Sequence, residues 1–272
     1  MSDTLLSAQF QFWLRHAFAS VWTNALIYLT VAVLFTVIWL WWRAGPARRA
    51  PLQPRPVPAR QIVREVLASL GPVLVFGLFV PVLFLFGLGK YTQFYRHIGE
   101  RGWPYFFFSI VLLLLVQDTW FYWTHRLMHH RRLFRWFHLQ HHRSVNPNPW
   151  STYSMSLLEA LVLSGVNLIV LFVIPTTGAA LLIVGWLNII YGVYGHLGYE
   201  LYPASMGSHW LGRWINTATA HNAHHAKGRY NYGYYFLIWD RLCGTVEPRP
   251  LPDGSALPVP RRSFRHAPEQ AQ

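Results

Sequence analysis

A run of apolar side chains from about Ala19 to Trp42 limits this chain's folding options more than any other feature. Crossing the hydrocarbon core of a bilayer takes roughly 20 such residues, and in lipid only a helix or a closed barrel satisfies its own backbone. The run closes on Trp39, Trp41, Trp42 and Arg43, an aromatic belt followed by a charge stop. It is too long for a signal-peptide core and no small-residue cleavage site follows it, so an uncleaved span is expected.

Further apolar stretches follow at Val66–Leu88, interrupted by Gly71-Pro72 and Pro81, and from Pro104 to about Tyr122. Leu157–Ile174 and Gly178–Tyr194 read as a tight hairpin turned at Pro175-Thr176-Thr177. The expected fold is therefore an all-α, polytopic membrane protein of four to five spans. Its parts are residues 1–65 (first span and a basic, Pro-rich linker), residues 66–246 (the main domain) and residues 247–272 (a Pro/Arg-rich tail, expected to be loosely ordered). A five-span count places the linker, Thr124–Asn148 and everything after Tyr194 on one side. That side holds most of the arginines, which makes it cytoplasmic by the positive-inside rule.

Composition agrees. Only 12% of residues are charged, and 23 basic against 10 acidic residues give a formal charge of +13. The arginines flank apolar runs, so an anionic leaflet explains the charge better than nucleic acid does. The arginine-over-lysine bias suits a high-GC bacterium and its inner membrane; the endoplasmic reticulum is the alternative location. Arg131–Phe137 mixes arginines with large apolar residues and is expected to be an interfacial helix. A single cysteine, Cys243, excludes an internal disulfide and a thiolate zinc module.

Chemistry enters through histidine. Nine of the 14 lie in three short strings: His125, His129 and His130; His138, His141 and His142; His221, His224 and His225. The second and third strings have i, i+3, i+4 spacing, which on a helix confines three imidazoles to an arc of about 100°. Neutral imidazole ligates zinc, copper, iron and nickel. Glu159 and Glu200 are the only carboxylates between Phe121 and Tyr235. The several glutamates of a soluble di-iron bundle, and the His-Glu-x-x-His of a zinc protease, are both missing. One catalytic zinc takes three protein ligands and leaves most of these histidines unexplained. Eight or more imidazoles suit two divalent ions with open positions, and iron with dioxygen fits that count.

These three strings resemble the sterol desaturase and fatty acid hydroxylase superfamily of integral-membrane di-iron oxygenases. Neighbouring words agree: Asp118 ahead of the first string, Gly195-His196-Leu197-Gly198-Tyr199-Glu200, Asn231-Tyr232-Gly233, and Trp239-Asp240-Arg241-Leu242-Cys243-Gly244-Thr245. The resemblance covers roughly Phe107 to Thr245 and implies a helical membrane fold with a cytosolic helical cap that carries the histidine-rich site. It implies metal ligands at His125, His138, His141, His142, His196, His221, His224 and His225, with one or both of His129 and His130. Helical geometry favours His129, one turn from His125, whereas a His-x4-His pattern would select His130. No further catalytic residue is implied.

Asp118 stands two turns before His125 on the same helix face, which leaves it two roles: accepting an imidazole N–H or capping a buried helix end. Glu200 is left with three roles: ligating iron, orienting His196 or capping a helix. His209, His97, His16 and His266 fall outside the ligand set.

The resemblance further implies two iron ions, dioxygen as co-substrate, and hydroxylation or desaturation of a C–H bond in a lipid. That lipid would be a fatty acyl, sterol-like or other isoprenoid molecule. No haem, flavin or iron–sulfur motif is present, so a separate electron-donor protein, cytochrome b5-like or ferredoxin-like, is the expected partner. The competing reading is a divalent-metal transporter or sensor. Ionisable ligands in a transporter belong near the membrane midplane, whereas these cluster beyond the span ends.

Overall fold

The computed structural model describes residues 3–44, 50–53, 56–207 and 209–248. The arginines at 48, 49 and 55, the C-terminal tail and His266 lie outside the described residues. Among the described residues ten α-helices carry the fold: α1 Asp3–Ala44, α2 Ala59–Leu85, α3 Gly102–Met128, α4 Phe134–Phe137, α5 Leu139–His142, α6 Leu157–Ser164, α7 Val166–Val173, α8 Gly178–Gly195, α9 Ala218–Lys227 and α10 Ile238–Cys243. Among the described residues the only β pairing is two isolated bridges, Phe94 with Thr176 and Ile215 with Phe236. This is an all-α polytopic membrane protein.

Among the described residues four helices, α1, α2, α3 and α8, are long and apolar enough to cross a bilayer. Large apolar side chains such as Phe18, Trp22, Leu67, Phe107 and Phe108 stand exposed on them, as a surface facing acyl chains requires. α1 begins well before the expected Ala19, and its 42 residues extend about 63 Å, longer than a hydrocarbon core is thick.

α1 and α2 form a close hairpin. A Cβ on Gly77 would lie 2.5 Å from the Cα of Val21, so only glycine permits this backbone approach. Asn24 Nδ2 donates to the Val73 carbonyl at 3.1 Å and Trp13 Nε1 to that of Pro81 at 2.9 Å. These contacts fall beside Pro72 and Pro81, the two positions where α2 loses a backbone donor.

α8 is the central helix. On one side it packs Ile189 and Val193 against Ile27, Tyr28 and Val31 of α1. On the other, Ala180 and Val184 meet Phe106 and Leu113 of α3 and Val166 and Val170 of α7.

The fourth expected span is not a continuous helix. Leu157–Ile174 breaks at Gly165 into α6 and α7, eight residues each. Trp120 of α3 occupies the break. Its Nε1 donates to the Val162 carbonyl at 2.9 Å, and a Cβ on Gly165 would lie 2.8 Å from its ring. The expected interfacial helix over Arg131–Phe137 is likewise reduced to the single turn of α4, with Arg131, Arg132, Arg135 and Trp136 exposed.

At one end of the bundle the three segments counted onto one side do meet. Leu52 N–H donates to the Gly198 carbonyl at 2.9 Å, Gln53 Nε2 to that of Val145 at 2.7 Å, and Gln61 Nε2 to that of Asn146 at 2.9 Å.

Candidate metal centre

Four parts of the chain bring nine buried imidazoles together at this end. His125 occupies the last turn of α3 and His129 is its C-cap. His138 caps the one-turn helix α5, which carries His141 and His142. His196 caps the C-terminus of α8. His221, His224 and His225 lie on α9, which Thr217 starts by accepting the Ala220 N–H at 3.2 Å and Gly228 ends in a left-handed conformation, φ 68°.

The imidazoles sort into two groups: His125, His129, His138, His142 and His224 in one, His141, His196, His221 and His225 in the other. Within each group one ring nitrogen from every member lies within 4.8 Å of all the others. The doublets explain the division. Neighbouring positions on a helix differ by about 100°, so His141-His142 and His224-His225 each send one imidazole to each group. The groups adjoin, with the His142 and His225 rings stacked 5.0 Å apart.

Hydrogen bonds set the ring orientations. Nδ1 of His125 donates to the Tyr232 carbonyl at 2.9 Å, that of His224 to Tyr230 at 2.7 Å and that of His196 to Gly192 at 2.7 Å. A carbonyl only accepts, so each of these rings turns a bare Nε2 lone pair inward. His138 Nδ1 meets Glu159 Oε1 at 2.7 Å.

The Nε2 atoms then crowd together: His125 and His138 at 2.9 Å, His224 with His142 at 3.1 Å and with His129 at 3.2 Å. In the second group His196 Nε2 stands 3.1 Å from both His221 and His225 and 3.2 Å from His141. Where two rings both present a bare Nε2, lone pairs at such distances repel one another, and a cation placed among them removes that repulsion. Burial, reinforced by the neighbouring imidazoles, holds His129, His138, His141, His142, His221 and His225 far below the usual histidine pKa. His196 and His224 are pushed down to about 4, again chiefly by burial. Neutral, inward-facing imidazoles are the form that binds borderline divalent metals, so the donor set fits a pair of such ions.

His130 stands apart from both groups. It is exposed, and its Nδ1 accepts the Arg132 N–H at 3.4 Å. α3 ends at Met128, and one step beyond His129 the chain turns outward. His209 is exposed as well.

Asp118 does not orient an imidazole. Its Oδ1 accepts the N–H groups of Tyr234, Tyr235 and Phe236 at 3.2, 2.8 and 3.1 Å. Asp240 receives Tyr232 N–H at 2.9 Å, Gly233 N–H at 2.8 Å and Thr245 Oγ1 at 2.7 Å. These two buried carboxylates shape the loop whose Tyr232 carbonyl fixes His125.

Glu200 caps the start of α9 through Thr219 N–H at 2.9 Å and Thr219 Oγ1 at 2.7 Å. It also accepts the Tyr194 hydroxyl at 2.6 Å, so of its three open roles the helix cap is the one this geometry supports. Sequence reasoning missed Glu159 as the partner of His138. Its isolation as one of two carboxylates in the histidine-bearing half was the available signal.

Residues 110–245 match the profile of the family described as fatty acid hydroxylase. The chain belongs to that family. Within the wider sterol desaturase and fatty acid hydroxylase superfamily, it is 28% identical over 237 residues to the Delta(7)-sterol 5(6)-desaturase erg3C of Aspergillus fumigatus, covering 79% of this chain and 72% of that protein. It is 29% identical over 189 residues to the lathosterol oxidase of Rattus norvegicus, covering 69% of this chain and 62% of that protein. To the Delta(7)-sterol 5(6)-desaturase ERG3B of Gibberella zeae it is 27% identical over 193 residues, spanning 58% of that relative's length. No solved structure matches. All nine clustered histidines of this fatty acid hydroxylase family member fall inside the matched segment, whereas α1 and α2 lie outside it.

Proposed function

We propose that this protein is a membrane-bound oxidoreductase that hydroxylates or desaturates a C–H bond of a lipid, using two iron ions and dioxygen. The observation that carries the reading is the pair of adjoining groups, five and four buried neutral imidazoles, at the end of an apolar helix bundle. His125, His129, His138, His142 and His224 would hold one ion, and His141, His196, His221 and His225 the other. Iron bound there would supply oxygen activation, with electrons delivered by a separate protein.

The chain's own residues do the rest. The Tyr230, Tyr232 and Gly192 carbonyls hold three rings in the tautomer that offers Nε2. Phe134, with its ring centroid 5.4 Å from that of His129 and 5.5 Å from that of His142, and Phe121, 4.9 Å from His125, add apolar walls. Such walls exclude water from a site that handles a reactive oxidant. The names of the sterol-acting relatives support a lipid substrate, and Arg60, Arg64 and Arg143 beside the site support a cytoplasmic orientation and an acidic donor protein.

The test is turnover by iron-loaded protein in detergent or nanodiscs with a lipid extract, a chemical reductant and oxygen. Oxygen-dependent gain of one oxygen atom, or loss of two hydrogens, in a lipid is expected. Metal flux through proteoliposomes without any lipid product would replace this reading with that of a metal carrier.

A further inference from the structure

Beside the metal centre lies a concavity that the proposed reaction does not use. It has a volume of about 750 Å³, within the range of small-ligand sites. Arg60 and Arg64 from the first turns of α2 line it, together with Arg143, the residue after His142. All three are exposed, and no acidic side chain joins them in the lining among the described residues. The nearby carboxylate of Glu65 is buried and engaged by neutral donors: Gln61 Nε2 at 2.9 Å, Ser144 Oγ at 2.5 Å and Asn148 Nδ2 at 2.5 Å. A smaller pocket of about 110 Å³ shares Gln53 and Asn146 with the cleft and adds Arg43.

We infer that the Arg60–Arg64–Arg143 cleft binds a phosphoryl group. Guanidinium groups match phosphate oxygens in bidentate geometry, and three of them around one concavity leave positive charge that a dianion neutralises. The first turn of α2 adds to this: it begins at Pro58 with no side-chain cap and contains no acidic residue, so its dipole also favours an anion. Arg64 is held in place by donating to the Arg143 carbonyl at 3.1 Å, and Arg143 by donating to Gln140 Oε1 at 2.9 Å. The concave shape favours a small phosphoryl group over the flat acidic face of a protein.

The cleft is also tied to the metal centre. Gln53, in its lining, donates to Asn222 Oδ1 at 3.2 Å, and Asn222 sits between His221 and His224. The cleft opens where α2 begins, at the end of a span, which is the depth of lipid phosphates. A lipid headgroup and a free phosphate therefore share the required chemistry, and binding can be measured without reference to the reaction.

Full-length protein in detergent is titrated calorimetrically with inorganic pyrophosphate and, separately, with short-chain phosphatidic acid. Short-chain phosphatidylcholine and poly-glutamate serve as comparators. Saturable binding of pyrophosphate or phosphatidic acid is expected, weakened about tenfold or more in the Arg60→Gln/Arg143→Gln double variant at unchanged metal content. Pyrophosphate binding alone assigns a soluble phosphate, and phosphatidic acid binding alone a headgroup. The single Arg60→Gln variant, at an exposed position, should lose affinity in the same direction and serves if the double variant does not accumulate. No binding of either phosphate, binding that both variants leave unchanged, or binding of poly-glutamate alone overturns the inference; the last would make the cleft a docking face for an acidic protein.

Discussion

Glu159 Oε1 lies 2.7 Å from Nδ1 of His138, a buried carboxyl–imidazole hydrogen bond. A carboxylate behind a metal-binding imidazole fixes the ring's tautomer and raises its basicity. Glu159→Ala is expected to weaken metal retention by about 10- to 100-fold while the spans stay folded. Metal content after a timed chelator challenge measures this. Retention equal to that of the unaltered protein would leave Glu159 with only a packing role.

The histidine doublets predict a division of labour that the sequence strings alone do not. His141 belongs to the four-imidazole group and His142 to the five-imidazole group. Replacing either with alanine should lower the metal load by about half, each variant emptying a different site. His130→Ala should leave the load unchanged, because that ring is exposed and outside both groups. Metal analysis of the three variants separates these outcomes, and a fall in the His130 variant equal to that of His142→Ala would break the assignment.

Much of this was legible in the chain because two simple periodicities carry it. Apolar runs near bilayer length gave the long helices, and helical spacing favoured His129 over His130. What escaped depends on partners distant in sequence. Asp118 was placed on the face of His125 by helical spacing, but Tyr234, Tyr235 and Phe236, more than a hundred residues on, claim its carboxylate. The break at Gly165 depends on Trp120 reaching across from another helix. Hydropathy counts residues along one segment and carries no record of an indole inserted from its neighbour.

The lowered pKa values set a pH dependence for the metal-free protein. His196 and His224 bind protons with a pKa of about 4 when folded, against an ordinary value near 6.5 in the unfolded chain. Between those values only the unfolded chain is protonated, so the unfolded state holds more protons and stability falls as pH falls. Above about pH 7.5, one unit beyond the unfolded value, these groups contribute almost no slope. Thermal melts of metal-stripped protein should therefore level off above about pH 7.5 and decline progressively from there toward about pH 4. Metal-loaded protein should resist acid further, because bound ions favour the neutral imidazoles. Asp240, pushed up to about 6 by burial, and Glu159, also raised, act in the opposite sense over this range but are outnumbered by the nine buried rings. A melting temperature that rises on acidification would therefore contradict the burial of those rings.

Glu65 makes the last prediction, because it lies outside the family match and yet braces the loop after His142. It is fully buried on α2 and gathers Gln61, Ser144 and Asn148 around one carboxylate, while its own carbonyl accepts Ser69 Oγ at 2.8 Å. Asn148 in turn accepts the Trp150 N–H at 3.1 Å and opens the turn at Pro149–Ser151. Glu65→Ala would leave the Ser144 hydroxyl and the Asn148 amide buried without their acceptor, at about 1–3 kcal/mol for each unsatisfied group. Glu65→Gln keeps the shape and one acceptor oxygen but turns a donor toward at least one of the three partners, so an intermediate loss is expected. Melting temperature in detergent should order the proteins as unaltered, then Gln, then Ala, with metal retention following the same order because the braced loop continues directly from His141 and His142. An alanine variant that melts and holds metal like the unaltered chain would show that α2 merely packs beside the centre.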